Sequence, residues 1–220
     1  VVSIRIPSTV TEIPDFAFQE CSKLERIIMH DRVTSIGQGV FTRCYSLKNV
    51  KIPVGVTVIR NNTFDECKSL GSVIFHDGIT EIQERAFGYC THLEGETTGG
   101  YLTLPSSLTT LDNGAFQDCT SLLAVDMSKT AVTTIPENLF AHCGKLSAIT
   151  LPENLQTIGE WAFTTCPVAG ITLPASVTSV GNYAFWQCAK LKQVYSKALT
   201  APTIGAQTFD PEYKTGRTAY

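Results

Sequence analysis

One four-residue word, Phe-x-x-Cys, constrains this chain more than any other feature. It stands at Phe18/Cys21, Phe41/Cys44, Phe64/Cys67, Phe87/Cys90, Phe116/Cys119, Phe140/Cys143, Phe163/Cys166 and Phe185/Cys188, and it takes up all eight cysteines. Successive cysteines lie 23, 23, 23, 29, 24, 23 and 22 residues apart. A fixed period in the range of about 20 to 50 residues marks a stacked array, in which each repeat buries its apolar face against its neighbours. The 220 residues are therefore read as one elongated domain, 1–220, rather than as one or two globular units of ordinary size.

Aligned on this word, the rest of each coil falls into register. Three residues past the cysteine stands Leu24, Leu47, Leu70, Leu93, Leu122, Leu146 or Leu191. An apolar-x-apolar triplet follows, as in Ile4-Arg5-Ile6, Val50-Lys51-Ile52, Val73-Ile74-Phe75 and Ile171-Thr172-Leu173. Alternation with period two in β-branched residues predicts a short strand with one buried face, and stacking turns these strands into a parallel sheet. Pro7, Pro53, Pro105, Pro152 and Pro174 follow it and, lacking an N–H, end the pairing. Val10-Thr11-Glu12-Ile13, Val33-Thr34-Ser35-Ile36 and their equivalents predict a second, shorter strand with threonines aligned between coils.

The segment that closes each coil begins with Gly37, Gly159, Gly181 or Gly205, but also with Pro14 or Pro136. Proline fixes φ near −65°, so this position does not need a left-handed backbone and its glycines answer a need for room. Proline and early acids such as Asp15, Glu137 and Glu160 suit a helix start, so one or two short helical turns are expected here. Phe and Cys, three residues apart, would then share an inward face.

Three irregularities interrupt the period. Residues 94–100, with Glu94, Glu96 and three glycines, form an acidic insertion before the strand at Leu102. One residue is missing after Cys166, where Val168 takes the place of the leucine. The last coil, 189–220, lacks the cysteine and carries Glu212 in its place, which reads as a terminal cap.

Taken together, L-x-x-I-x-L-P-x-x-V-T-x-I-G-x-x-A-F-x-x-C resembles the BspA-type leucine-rich repeat family over residues 4 to about 209, most closely from Ile149-Thr150-Leu151-Pro152 to Cys166. The resemblance implies a mainly β leucine-rich-repeat solenoid: a right-handed superhelix of about nine coils with a concave parallel sheet, to which the short helical turns would be added. It also implies a secreted or surface-anchored bacterial protein, used in adhesion or host-protein binding, with no catalytic residues and no cofactor. The tail from Val194 to Gly205 resembles the end of such arrays, where a further strand usually follows.

Composition excludes several partners. Seventeen Lys and Arg against 20 Asp and Glu give a net charge of −3, without basic clusters, so nucleic acid is not expected. The apolar runs fall short of the roughly 18 residues a membrane span needs, so no membrane insertion by this segment is expected. The chain begins inside a coil without Met, which is read as an excised or processed fragment.

Candidate chemistry is sparse. Eight regularly spaced cysteines invite disulfides, but residues stacked at about 4.8 Å with parallel Cβ vectors cannot turn toward each other, so a column of buried free thiols is expected. Neither C-x-x-C nor C-x-x-H occurs, which leaves no metal site. His30-Asp31 and His76-Asp77 occupy equivalent positions two coils apart; a catalytic role with Ser35 or Thr80 is weighed against a turn role, and the turn is favoured. Glu94 and Glu96 could hold Ca²⁺ but lack a ligand-spacing motif.

Binding remains. The middle residue of each longer strand points out of the core onto the face that solenoid curvature makes concave. These candidates are Arg5, Ile28, Lys51, Ile74, Thr103, Asp126, Thr150, Thr172 and Tyr195, with Ile28, Lys51 and Ile74 as a small apolar patch, and with Glu94 and Glu96 as a flanking loop. The expectation is a monomeric, non-enzymatic module for a protein partner such as a host extracellular protein. A spacer without a ligand of its own and a glycan-binding accessory module are the alternatives.

Overall fold

The computed structural model describes residues 2–95 and 101–210, together with the backbone of residues 218–219. Glu96 and Glu212 lie outside the described residues. Each coil contributes one longer and one shorter strand. The first four coils hold β1 (Ser3–Arg5) and β2 (Glu12–Ile13), β3 (Arg26–Ile28) and β4 (Ser35–Ile36), β5 (Asn49–Lys51) and β6 (Val58–Ile59), then β7 (Ser72–Ile74) and β8 (Glu81–Ile82). The next three hold β9 (Tyr101–Thr103) and β10 (Thr110–Leu111), β11 (Ala124–Asp126) and β12 (Thr134–Ile135), then β13 (Ala148–Thr150) and β14 (Thr157–Ile158). The last two hold β15 (Gly170–Leu173) and β16 (Ser179–Val180), then β17 (Gln193–Ser196) and β18 (Thr203–Ile204), after which β19 (Thr218–Ala219) pairs with β17. A strand of two residues thus follows the ninth coil. Among the described residues the architecture is a β-solenoid of nine coils, and every strand pairing is parallel.

The irregularities of the sequence coincide with the breaks in the longer-strand sheet. Its ladders run β1-β3-β5-β7, β9-β11-β13 and β15-β17-β19. The first break falls at the insertion of residues 94–100, the second at the deletion after Cys166. The shorter strands form β2-β4, β6-β8-β10 and β12-β14-β16-β18, so they break at other junctions. No junction between described coils loses both ladders.

The closing segments are not helical, and this corrects the expectation of short helical turns. Each is instead two successive four-residue turns. Ala17 N donates to Pro14 O at 3.3 Å and Cys21 N to Phe18 O at 3.1 Å. The third residue of each turn is left-handed, Phe16 at φ 58 and Glu20 at φ 60, as a type II turn requires. Between these bonds, alternate amides point along the stack: Phe16 N donates to Gln38 O at 3.0 Å, Phe18 N to Val40 O at 3.0 Å and Glu20 N to Thr42 O at 2.8 Å. An eight-residue helix is marginal by itself. The turns let every second amide bond to the neighbouring coil, which a helix would hold within itself.

This third ladder never breaks. Phe18, Phe41, Phe64, Phe87, Phe116, Phe140, Phe163 and Phe185 each donate their amide to the next coil, at 2.8 to 3.1 Å. Their rings, continued by Phe209, form one column with centroids 5.2 to 5.7 Å apart and planes within 19° of parallel. Around the column lie the buried Leu, Ile and Val of the strands and of the segments that lead into them, including Val168, which fills the missing leucine's place. The glycine that opens a closing segment does answer a need for room: a Cβ on Gly159 would meet Glu137 N at 2.8 Å, and one on Gly205 would meet Asn182 N at 2.5 Å.

Candidate binding face

The outward residues of the longer strands come together by register. Arg5 pairs with Ile28, Lys51 with Ile74, Asp126 with both Thr103 and Thr150, and Thr172 with Tyr195. They make a column in three blocks, because the ladder breaks separate Ile74 from Thr103 and Thr150 from Thr172. Ile74 is 54% exposed and Tyr195 56%, whereas Ile28 and Asp126 are half-buried. Arg5, Lys51, Thr103, Thr150 and Thr172 are exposed.

A second outward column went unnoticed in the sequence. Period two requires that the residue two before each outward position also face out. Ser3, Arg26, Asn49, Ser72 and Tyr101 stand there, and Tyr101 is 53% exposed. With these residues, the first four coils frame an open groove of about 460 Å³ lined by Val2, Arg26, Lys48, Asn49, Lys51 and Ile74, among others. Its rim is partly tied down: Lys48 Nζ meets Glu25 Oε2 at 2.6 Å, and Ser72 Oγ donates to Asn49 Oδ1 at 2.7 Å. Arg5, Arg26 and Lys51 have no ion-pair partner among the described residues. The first half of the face is thus basic around an apolar side chain, in a chain whose net charge is negative.

The histidines close turns. His30 Nδ1 accepts the Arg32 amide at 3.2 Å and His76 Nδ1 that of Gly78 at 3.1 Å, so in each ring Nε2 carries the proton. It donates to Pro7 O at 2.8 Å in the first case and to Val56 O at 3.1 Å in the second. The Thr80 hydroxyl donates to Thr57 O at 3.3 Å, so histidine and hydroxyl are not brought together as a catalytic pair. Glu94 is exposed at the start of the insertion.

All eight cysteines are free, seven of them buried and Cys21 half-buried. Their thiols do more than fill space. Cys44 Sγ donates to Phe18 O at 3.1 Å, and the same bond recurs from Cys67, Cys90, Cys119, Cys143, Cys166 and Cys188 to the phenylalanine one coil earlier, at 3.0 to 3.3 Å. Burial pushes the Cys44 thiol up to about 12 and holds those of Cys67, Cys90, Cys119, Cys143 and Cys166 well above the ordinary value. Thiolate chemistry is thereby suppressed.

One ionisable group is poorly housed. Asp65 is buried, with Oδ1 3.9 Å from Arg85 Nε and without a hydrogen bond. Burial, with the nearby Glu66 charge adding to it, pushes this carboxyl up to about 6 against the pull of Arg85 and Arg43. Arg43 itself bridges coils, reaching Glu20 at 3.1 Å and Glu66 at 3.0 Å.

Comparison with known proteins gives this geometry its kin. The model of the BspA type leucine-rich repeat region matches residues 1–94 and 96–192 in six copies. A solved leucine-rich repeat protein from Bacteroides ovatus ATCC 8483 is 29% identical, with a TM-score of 0.81 over 100% of this chain and 66% of its own length. A leucine-rich repeat protein from T. pallidum is 28% identical, with a TM-score of 0.68 over 75% of this chain and 76% of its own. A third, from Eubacterium ventriosum ATCC 27560, shares the fold at 19% identity, with a TM-score of 0.67 over 99% of this chain and 66% of its own. The chain thus spans just under two thirds of the Bacteroides protein it matches. No curated protein sequence matches it. By the repeat, the coil geometry and the family model together, the chain belongs to the BspA-type leucine-rich repeat family.

Proposed function

We propose that the chain is a non-enzymatic binding module of a bacterial surface or secreted protein, serving adhesion or host-protein interaction. Its contact surface is the outward face of the longer strands in the first four coils. The observation that carries this is the groove of about 460 Å³ beside the exposed Ile74 and the cations of Arg26 and Lys51. An exposed apolar anchor bordered by unpaired cations complements a protein segment that presents an apolar side chain among carboxylates. Arg5 and Ile28 extend the same surface, while Thr103, Asp126, Thr150, Thr172 and Tyr195 continue it past the ladder breaks.

The test is capture from a panel of purified host extracellular proteins by the native chain and by Ile74→Asp combined with Lys51→Glu. Both side chains are exposed, so the variant should keep its thermal midpoint and lose capture at least tenfold. Unchanged capture by the variant, or no capture by the native chain, would remove this face from the account.

A further inference from the structure

The chain has two tryptophans, and both stand on one patch on the turn side of the coils. Trp161 and Tyr183 hold the same position in adjacent coils, two residues before the core phenylalanine, and Trp161 N donates to Asn182 O at 3.1 Å. Their rings stack with centroids 4.1 Å apart and planes 5° from parallel. Trp186 meets Tyr183 edge-on at 5.6 Å and 79°. All three are half-buried, so they belong to the surface and not to the phenylalanine column.

The backbone makes these rings unexpected. Trp161 and Tyr183 lie at φ 56 and 55, where a side chain costs about 1–2 kcal/mol. Four other coils place Gly39, Gly114, Asn62 or Asn138 at this position, residue types that adopt it readily, and the remaining three place Phe16, Arg85 and Gln207 there. Bulky residues held in such a conformation direct attention to what their side chains do.

The patch is rigid and has a polar rim. Trp161 Nε1 donates to Glu160 Oε1 at 3.0 Å, which fixes the indole, and the stack and the edge contact fix the other two rings. Asn182 Oδ1 accepts the Ala206 amide at 2.7 Å, which leaves its NH₂ group without a partner among the described residues. The Trp186 indole N–H likewise has none. Aromatic carbon thus meets one carboxylate acceptor and two free donors across two coils. A pyranose ring matches this arrangement: its C–H face lies against aromatic carbon, and its equatorial hydroxyls reach the rim. The carboxylate of Glu160 disfavours anionic sugars.

We propose that Trp161, Tyr183 and Trp186, with Glu160 and Asn182, form a platform that binds neutral polysaccharide chains. It lies on a different side of the coil from the longer-strand face, so the module would carry two sites. Intrinsic fluorescence reports on it directly, because every tryptophan in the protein is part of it. The native chain is titrated with cellohexaose, xylohexaose, mannohexaose and chitohexaose while tryptophan emission is followed. At least one hexasaccharide should shift the emission saturably, Trp186→Ala should weaken that response at least tenfold through the remaining Trp161, and Asn182→Ala should weaken it at least threefold. Ile74→Asp should leave it unchanged, which separates this site from the protein-binding face. No saturable shift with any of the four, or a response that neither Trp186→Ala nor Asn182→Ala weakens, would overturn the proposal.

Discussion

At the scale of single residues, the repeat word joins two kinds of interaction that composition alone does not separate. A buried cysteine is expected to behave as a small apolar group, and its constant spacing fits that. The thiol donors to the phenylalanine carbonyls were not legible, because the direction of an S–H bond depends on which backbone oxygen lies a coil away. Raised thiol pKa values have a consequence for stability. Above the ordinary value of 9.0, unfolded chains lose thiol protons that the folded state retains, so stability is full below about pH 9 and falls as pH rises towards the folded values. The loss is about 1.4 kcal/mol per buried thiol per pH unit. Denaturant midpoints should therefore drop steeply between pH 9 and 11, and a flat profile would contradict the buried column. Asp65 carries a second pH dependence with the same sign. Its folded pKa of about 6 lies above the ordinary 3.8, so stability declines as pH rises from about 4 to 6. Asp65→Asn should remove that decline and be more stable than the native chain at pH 7 by on the order of 2–3 kcal/mol, with the two converging near pH 3.

At the scale of elements, the strands were legible and the closing segments were not. Alternation in Val50-Lys51-Ile52 or Ile171-Thr172-Leu173 has a single structural meaning, and register carries it from coil to coil. Phe and Cys three residues apart fit a helical turn and a four-residue β-turn equally well, since both close at that spacing. What decides between them is the left-handed residue inside each turn, such as Asn138, His142 or Thr165, and only some of these are residue types that announce it. The aromatic patch was in principle visible, because Trp161 and Tyr183 stand at the same offset from Phe163 and Phe185; it lies on the side of the coil whose conformation was misjudged. Phe116 tests the closing segment as an element. It is fully buried, between Phe87 at 5.3 Å and Phe140 at 5.7 Å. Phe116→Ala should cost about 3–5 kcal/mol, read from the denaturant midpoint, and a loss under about 1 kcal/mol would mean that the ring column does not hold the coils.

At the scale of the whole molecule, the three ladders share the work unequally. The longer-strand sheet tolerates an insertion and a deletion by breaking at both, and the shorter-strand sheet breaks at two other junctions. The ladder of the closing segments crosses all eight junctions from Phe18 to Thr208 and is backed by stacked rings and thiol donors. Eight of the coils and the two irregular junctions of the longer-strand sheet could be read from cysteine spacing, whereas the ninth coil has no cysteine and the breaks of the shorter-strand sheet leave no mark on the spacing. Which ladder spans the junctions could not be read, because that depends on the turn conformation. In a solenoid, stability is a sum of coils and junctions, so the uninterrupted ladder sets the cooperative unit. Native-state amide hydrogen exchange tests this most directly. The amides of Phe41, Phe64, Phe87, Phe116, Phe140 and Phe163 should exchange only with global unfolding, while those of β7 and β9, on either side of a ladder break, exchange earlier. Exchange of the phenylalanine amides ahead of the strand amides would contradict the account.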